Sequence, residues 1–249
     1  MRSLWWLVVV AGCVSNLDPE WQLNHDRVIA VRASPPHIPA GSASVLDALV
    51  SHKGSGTGSD ATALPVTQDA PLLAMLGSGQ PLAFAGMDLV SQGSDGSWIV
   101  TAPDDTVLDA ARSELGIAAG SDVPLSVITV FGTAAAPLPA IKTVELGDSV
   151  DNPTLGAVTF NGSAVGSDAS LELGSGVDVP FSIDEPMDDT VNWLTGVGTL
   201  HDDDEHAAFD NVGSDDPRDG QLVVVVRTPD DGVAWETWPL HTVGGSAAE

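Results

Sequence analysis

Three observations predict an all-β chain folded as two tandem β-sandwiches. Short runs rich in Val, Ile, Thr and Trp recur at intervals of about ten residues, with Gly, Asn, Asp or Pro between them. A strand-turn-strand plan appears twice, PLSVITVFGTAAAPLPAIKTVEL over 124–146 and QLVVVVRTPDDGVAWETWPLHTV over 221–243, and a plan repeated in each half implies two domains of one class. The chain has 249 residues and is 43% hydrophobic, which suffices for two cores of about 100 residues each. The polar stretch GDSVDNP at 147–153 divides them, giving expected domains at 27–147 and 150–244.

In the first half, Arg27 to Arg32 reads as a strand with apolar residues on both faces, Val28 and Ala30 on one and Ile29 and Val31 on the other. Ser34-Pro35-Pro36 ends it. After the turn at Ile38 to Gly41, a second strand alternates Val45, Asp47 and Leu49 with Leu46, Ala48 and Val50. Residues Lys53 to Thr62, KGSGTGSDAT, read as a loop, and its glycines lack the Lys-Ser/Thr that would make a phosphate cradle. Two short helices are expected next. Asp69 caps Ala70 to Leu76, with Gly77 past its end; Asp104 or Asp105 caps Thr106 to Leu115, with Gly116 in the matching position. Val107, Leu108, Ala111 and Leu115 give the second helix one apolar face. With the strand GSWIVT at 96–101 between them, these elements read as a small helical insertion at about 65–120.

The second half reads as strands throughout, starting near Leu155, Ala169, Asp178, Thr190 and Glu205 and closing on a hairpin whose turn is Pro229-Asp230-Asp231-Gly232. Trp235 and Trp238, three apart in its last strand, fall on opposite faces, so one is a core candidate and the other a contact candidate. The opening pair of strands resembles the A and B strands of bacterial immunoglobulin-like domains. Trp193 sits where the third strand of such a sandwich places its buried tryptophan, though no cysteine pair flanks it. The resemblance implies two tandem immunoglobulin-like β-sandwiches.

The first thirteen residues, MRSLWWLVVVAGC, read as a targeting signal. Arg2 supplies the positive region, Leu4 to Val10 the apolar one, and Ala11 and Gly12 the small residues before a cleavage site. The apolar run is about half the roughly 20 residues a spanning helix requires. Val10-Ala11-Gly12-Cys13 resembles the lipobox of Gram-negative lipoproteins. That resemblance implies cleavage before Cys13, lipidation of its sulfur and, with Val14 rather than Asp following, residence at the outer membrane. Residues 14–26 then serve as a tether, from which Trp21 docks on the first domain or on the membrane surface. The other apolar stretch, Val123 to Ile141, is cut by Pro124, Pro137 and Pro139 and reads as core strands.

Eight Lys and Arg against 35 Asp and Glu give a net charge of -27. Such a field repels phosphate backbones and excludes nucleic acid as a partner. Cys13 is the only cysteine, so the chain has no disulfide and no second thiol. No G-x-S-x-G elbow and no H-E-x-x-H helix occurs. Asp202, Asp203, Asp204 and Glu205, between His201 and His206, offer hard oxygen ligands for calcium, or imidazoles for a transition metal. They lack the D-x-D-x-D-G order of a calcium loop, and a solvated turn is the preferred reading. The expected function is therefore that of a non-enzymatic, lipid-anchored envelope protein that meets a protein partner. A calcium or small-ligand binder and a lipid-anchored hydrolase are the alternatives.

Overall fold

The computed structural model describes residues 21–52, 66–174, 178–184, 186, 188–201, 208–210 and 218–243. The first half contributes β1 (Arg27–Ser34), β2 (His37–Pro39), β3 (Ala43–Ser51), β4 (Val66–Asp69), β5 (Leu73–Leu76), β6 (Val90–Gln92), β7 (Trp98–Thr101), β8 (Val123–Thr133) and β9 (Ala136–Gly147). A single turn of 3-10 helix, Leu82–Phe84, and one α-helix, α1 (Asp105–Leu115), interrupt them. The second half contributes β10 (Val158–Phe160), β11 (Ser163–Ala164), β12 (Leu171–Leu173), β13 (Asp178–Ile183), β14 (Thr190–Thr195), β15 (Thr199–Leu200), β16 (Ala208–Asp210), β17 (Arg218–Arg227) and β18 (Val233–Thr242).

Apart from β4 and β11, both halves have the same strand order. One sheet runs β2-β9-β8-β5 in the first half and β12-β18-β17-β14 in the second. In each, a short strand lies parallel to the last strand, and the remaining pairs are antiparallel. The opposing sheets run β1-β3-β7-β6, with β4 also on β3, and β11-β10-β13-β16-β15. The chain is therefore all-β, with two immunoglobulin-like sandwiches.

Alternation builds the cores. In β8, Val123, Leu125, Val127, Thr129 and Phe131 point inward and are fully buried, while Pro124, Ser126, Ile128 and Val130 are more exposed. Leu125 and Val127 join Leu46, Val100, Leu108 and Leu146 in the first core. In the second, Phe181 meets Trp193 edge-on at 4.7 Å, and Trp193 lies 6.3 Å from Trp238. Trp193 is fully buried, in the position the sequence pattern gave it. Its neighbour Trp238 is the core member of the last-strand pair, and its indole donates to the Gly166 carbonyl at 3.0 Å.

Helix α1 forms as its caps predict. The Asp104 side chain accepts from Val107 N at 3.0 Å, and Gly116 ends the helix at φ 69. The helix expected at 70–76 is instead strand β5. Leu73 to Leu76 pair with Val130 to Val127, so a sheet partner overrides a helical signal less than two turns long. Asp69 caps nothing there; it receives Thr67 Oγ1 at 2.7 Å and lies 2.9 Å from His52 Nε2. Strands β4 to β7 are rungs of the two sheets, so the helical insertion shrinks to the 3-10 turn and α1.

Strand β1 does bury residues on two sides, but in different pairs from those expected. A bulge between Val28 and Ala30 shifts the register with β3. One extra residue reverses the alternation, so Val28 and Val31 pack against Ala48, Val50 and Phe131 while Ile29 and Ala30 face the other half.

The two halves meet across an apolar cluster of their own. Leu23, Ala30, Leu49 and Val66 pack against Leu194, Val223, Val225 and Val233. Strand β17 is thus buried on both faces: Leu222, Val224 and Val226 enter the second core, and Val223 and Val225 enter the junction. Trp21 docks on the second sandwich rather than on the first. Thr195 N donates to the Trp21 carbonyl at 2.9 Å and Leu23 N to the Thr195 carbonyl at 2.8 Å, straps that place residues 21–23 along β14.

Candidate functional site

Two surfaces carry side chains beyond what the cores need. The first is the outer face of the sheet β2-β9-β8-β5. Strand register aligns Met75, Ile128 and Ile141 in one row across β5, β8 and β9, and Leu73, Val130 and Pro139 in the next. Ile141 is 69% exposed, Met75 44% and Leu73 39%. The neighbouring outward residues, Ser126 and Thr143, are uncharged. On a chain with 35 carboxylates, six exposed or half-exposed apolar side chains stand in two rows without a charge among them. Leu72, 53% exposed, extends these rows at the β5 edge.

The second surface is the polar part of the junction, where the β17–β18 turn enters the first half. Asp231 takes the left-handed conformation, φ 59, that such a turn requires. The turn's carbonyls point at two side chains of the first sandwich: Lys142 Nζ donates to the Asp231 carbonyl at 2.6 Å, and His37 Nε2 lies 2.9 Å from the Asp230 carbonyl. His37 Nδ1 is 2.7 Å from Asp122 Oδ2. Asn152 ties the same corner, donating to the Ala33 carbonyl at 2.7 Å and accepting from Val233 N at 2.8 Å. Further along, Arg32 makes a bidentate pair with Asp47, at 3.1 and 2.7 Å, and its guanidinium lies 4.0 Å above the Trp235 ring. Trp235 is half-buried, with one face of its ring under Arg32 of the first sandwich.

Burial dominates the electrostatics here. It pulls the Lys142 ammonium below the ordinary lysine range, opposed by the Asp231 carboxylate and reinforced by Arg227. It also holds Arg227 below its usual value. Glu145, beside His37 in the β2–β9 register, is raised, first by burial and then by Asp231. A carboxyl raised on folding lends stability that is full below its unfolded value near 4.5 and is lost as pH rises through the folded value. Glu145→Gln is accordingly expected to raise the unfolding midpoint at pH 7, with the gain shrinking to nothing below pH ~4.5. Equal pH profiles for the two proteins would place Glu145 in full solvent contact.

Several sequence candidates lie outside the described residues: Cys13, the loop 53–62, and Asp202, Asp203, Asp204 and Glu205. Among the described residues no group of three His, Cys, Asp or Glu could hold a metal ion, and no helix is long and apolar enough to cross a membrane. Sequence reading passed over Lys142 and Arg227. Lys142 had a signal: it shares its strand parity with Val144 and Leu146, both buried.

No protein-family model matches the chain, and no curated protein matches it. Solved structures that the chain matches include tandem Ig repeats of Dlar, at 9% identity over 89% of this chain and 100% of that one, with a TM-score of 0.28. The N-terminal Ig1-2 module of the Drosophila receptor protein tyrosine phosphatase DLAR follows at 10% identity, 90% and 100% coverage and a TM-score of 0.29. The four N-terminal Ig domains of Dscam1 isoform 8.4 show 15% identity, 83% and 42% coverage and a TM-score of 0.23. The assignment of the fold rests on the strand order and pairing described above.

Proposed function

We propose that this chain is a non-enzymatic, lipid-anchored protein of the cell envelope that works as an interaction module, with the outer face of the first sandwich as its contact surface. The uncharged double row Met75-Ile128-Ile141 and Leu73-Val130-Pro139 carries the reading. Apolar side chains exposed in register on a surface otherwise rich in carboxylates gain free energy only when a partner covers them. The partner's matching face is apolar with a basic rim, because the acidic surroundings repel an acidic one. Cys13, in its VAGC context, supplies the anchor and leaves the sandwiches free to meet that partner at the membrane.

Photo-crosslinking in the intact, anchored protein tests this. A photoreactive residue at Ile141 or Met75 is expected to give one discrete adduct with an envelope protein, and the same residue at Gln92, exposed on the opposite sheet, to give none. Cys13→Ser is expected to release the chain from the membrane fraction and to abolish the adduct. Equal labelling at all three positions, or none at 141 and 75, would sink the proposal.

A further inference from the structure

The junction holds a cleft of about 670 Å³, within the range of small-molecule sites. Its walls are the edges of two strands. Strand β1 ends the ladder β1-β3-β7-β6, and β9 is paired on its far side by β2 only from Glu145 to Gly147. Asp26 to Val31 and Leu138 to Thr143 therefore run along the cleft as strand edges, and the turn Thr228, Asp231 and Gly232 closes one end. The floor is apolar, because Val28, Val31, Leu138 and Ala140 cover the small core of Ala48, Val50 and Phe131.

The charge in this cleft is unusual for the chain. Of only eight basic residues, Arg27, Lys142 and Arg227 line it, facing the two carboxylates Asp26 and Asp231. Lys142 is 6% exposed. Among the described residues Lys142 spends one N–H, on the Asp231 carbonyl, and Arg227 spends two, on Asn192 Oδ1 at 2.6 Å and on the Ile29 carbonyl at 3.0 Å. Both heads keep further donors. Burial of the Lys142 ammonium, with Arg227 adding to it against Asp231, disfavours its charge, and an anion placed between the two heads would offset that.

We propose that this cleft binds a small organic anion, with its carboxylate or phosphate at Lys142 and Arg227 and its apolar body along Val28, Val31, Leu138 and Ile141. A compact single head interacts mainly with the charges it touches, so the acidity of the whole chain does not exclude it, whereas a polyanion would be repelled. The apolar floor gives an organic body an advantage over a bare ion. The cleft shares Pro139 and Ile141 at its rim with the contact face proposed above, but its charged head site, Lys142 and Arg227, lies outside that face.

The test titrates the full chain, at fixed ionic strength, with 3-phenylpropionate and phenyl phosphate, read by calorimetry and by thermal unfolding. Saturable binding that raises the unfolding midpoint is expected for both. Acetate, inorganic phosphate and benzyl alcohol, each lacking head or body, are expected to bind about tenfold more weakly or worse. Lys142→Met is expected to lose about tenfold in affinity. Should that variant fail to fold, Thr143→Glu, which sets a carboxylate on the same wall from a half-exposed position, is expected to weaken binding likewise. No saturable binding of either organic anion overturns the proposal, as does binding that a folded variant leaves unchanged. Equal affinity for inorganic and phenyl phosphate overturns the apolar subsite.

Discussion

Trp193→Ala is expected to destabilise the protein by about 3–5 kcal/mol, the cost of emptying a large aromatic site in a close-packed core. Trp193 is fully buried between Phe181 and Trp238, so its removal takes away one partner from each of two ring contacts and leaves a void that sheets on both sides must span. Among the described residues its indole Nε1 has no hydrogen-bond partner, so the loss is one of packing rather than of a polar link. Trp193→Phe separates the two effects: it keeps a ring, discards the unpaired N–H and is expected to cost no more than half as much as the alanine variant. Urea unfolding followed by circular dichroism measures both, because the chain's seven tryptophans make fluorescence ambiguous. A loss under about 1 kcal/mol for Trp193→Ala would mean that this core is loosely filled.

Val225→Asp is expected to separate the two sandwiches. Val225 is fully buried in the junction cluster, and a carboxylate there must either carry an unpaired charge or take up a proton, at a cost of several kcal/mol. Strand β17 also carries the second core on its other face, so the second sandwich loses stability together with the junction. One cooperative thermal transition is expected in the wild type and two in the variant. Val45→Asp is the control: Val45 is 43% exposed on the outer side of β3, and its substitution is expected to stay within about 0.5 kcal/mol of wild type. A single, unshifted transition in Val225→Asp would show that the halves do not bury this cluster in solution.

Much of the architecture could be read from local pattern, where one physical rule acts alone. The Pro229-Asp230-Asp231-Gly232 turn, the alternation of β3 and the caps of α1 depend on neighbours within a few residues, and each forms as those neighbours dictate. Where two rules competed, local reading failed. Ala70 to Leu76 carries both a helix-start signal and an alternation of Ala74 and Leu76 against Leu73 and Met75, and only the presence of β8 decides for the strand. The bulge in β1 has no sequence mark strong enough to predict, yet it sets which of Val28 to Val31 face the other half.

The candidate surfaces were less legible, because each is assembled from segments distant in the chain. Met75, Ile128 and Ile141 share a row only through two strand registers. Lys142 and Arg227 meet only because the second hairpin's turn reaches back to β9. The run Leu222 to Val226 does announce a strand apolar on both faces, which in an antiparallel sheet signals a second buried surface. What it cannot name is the surface that covers it.

The sequence by itself determined the class of the fold, two like sandwiches, because the period of the apolar residues and the chemistry of the turns are local properties. It also determined the net charge of -27 and the single cysteine, which leaves no partner for a disulfide within the chain. Only the tertiary structure decided how the halves join, which tryptophan faces inward, and where three of eight basic residues converge. These depend on registers and on a bulge that bring together residues more than a hundred positions apart, and side-chain chemistry acts across space rather than along the chain.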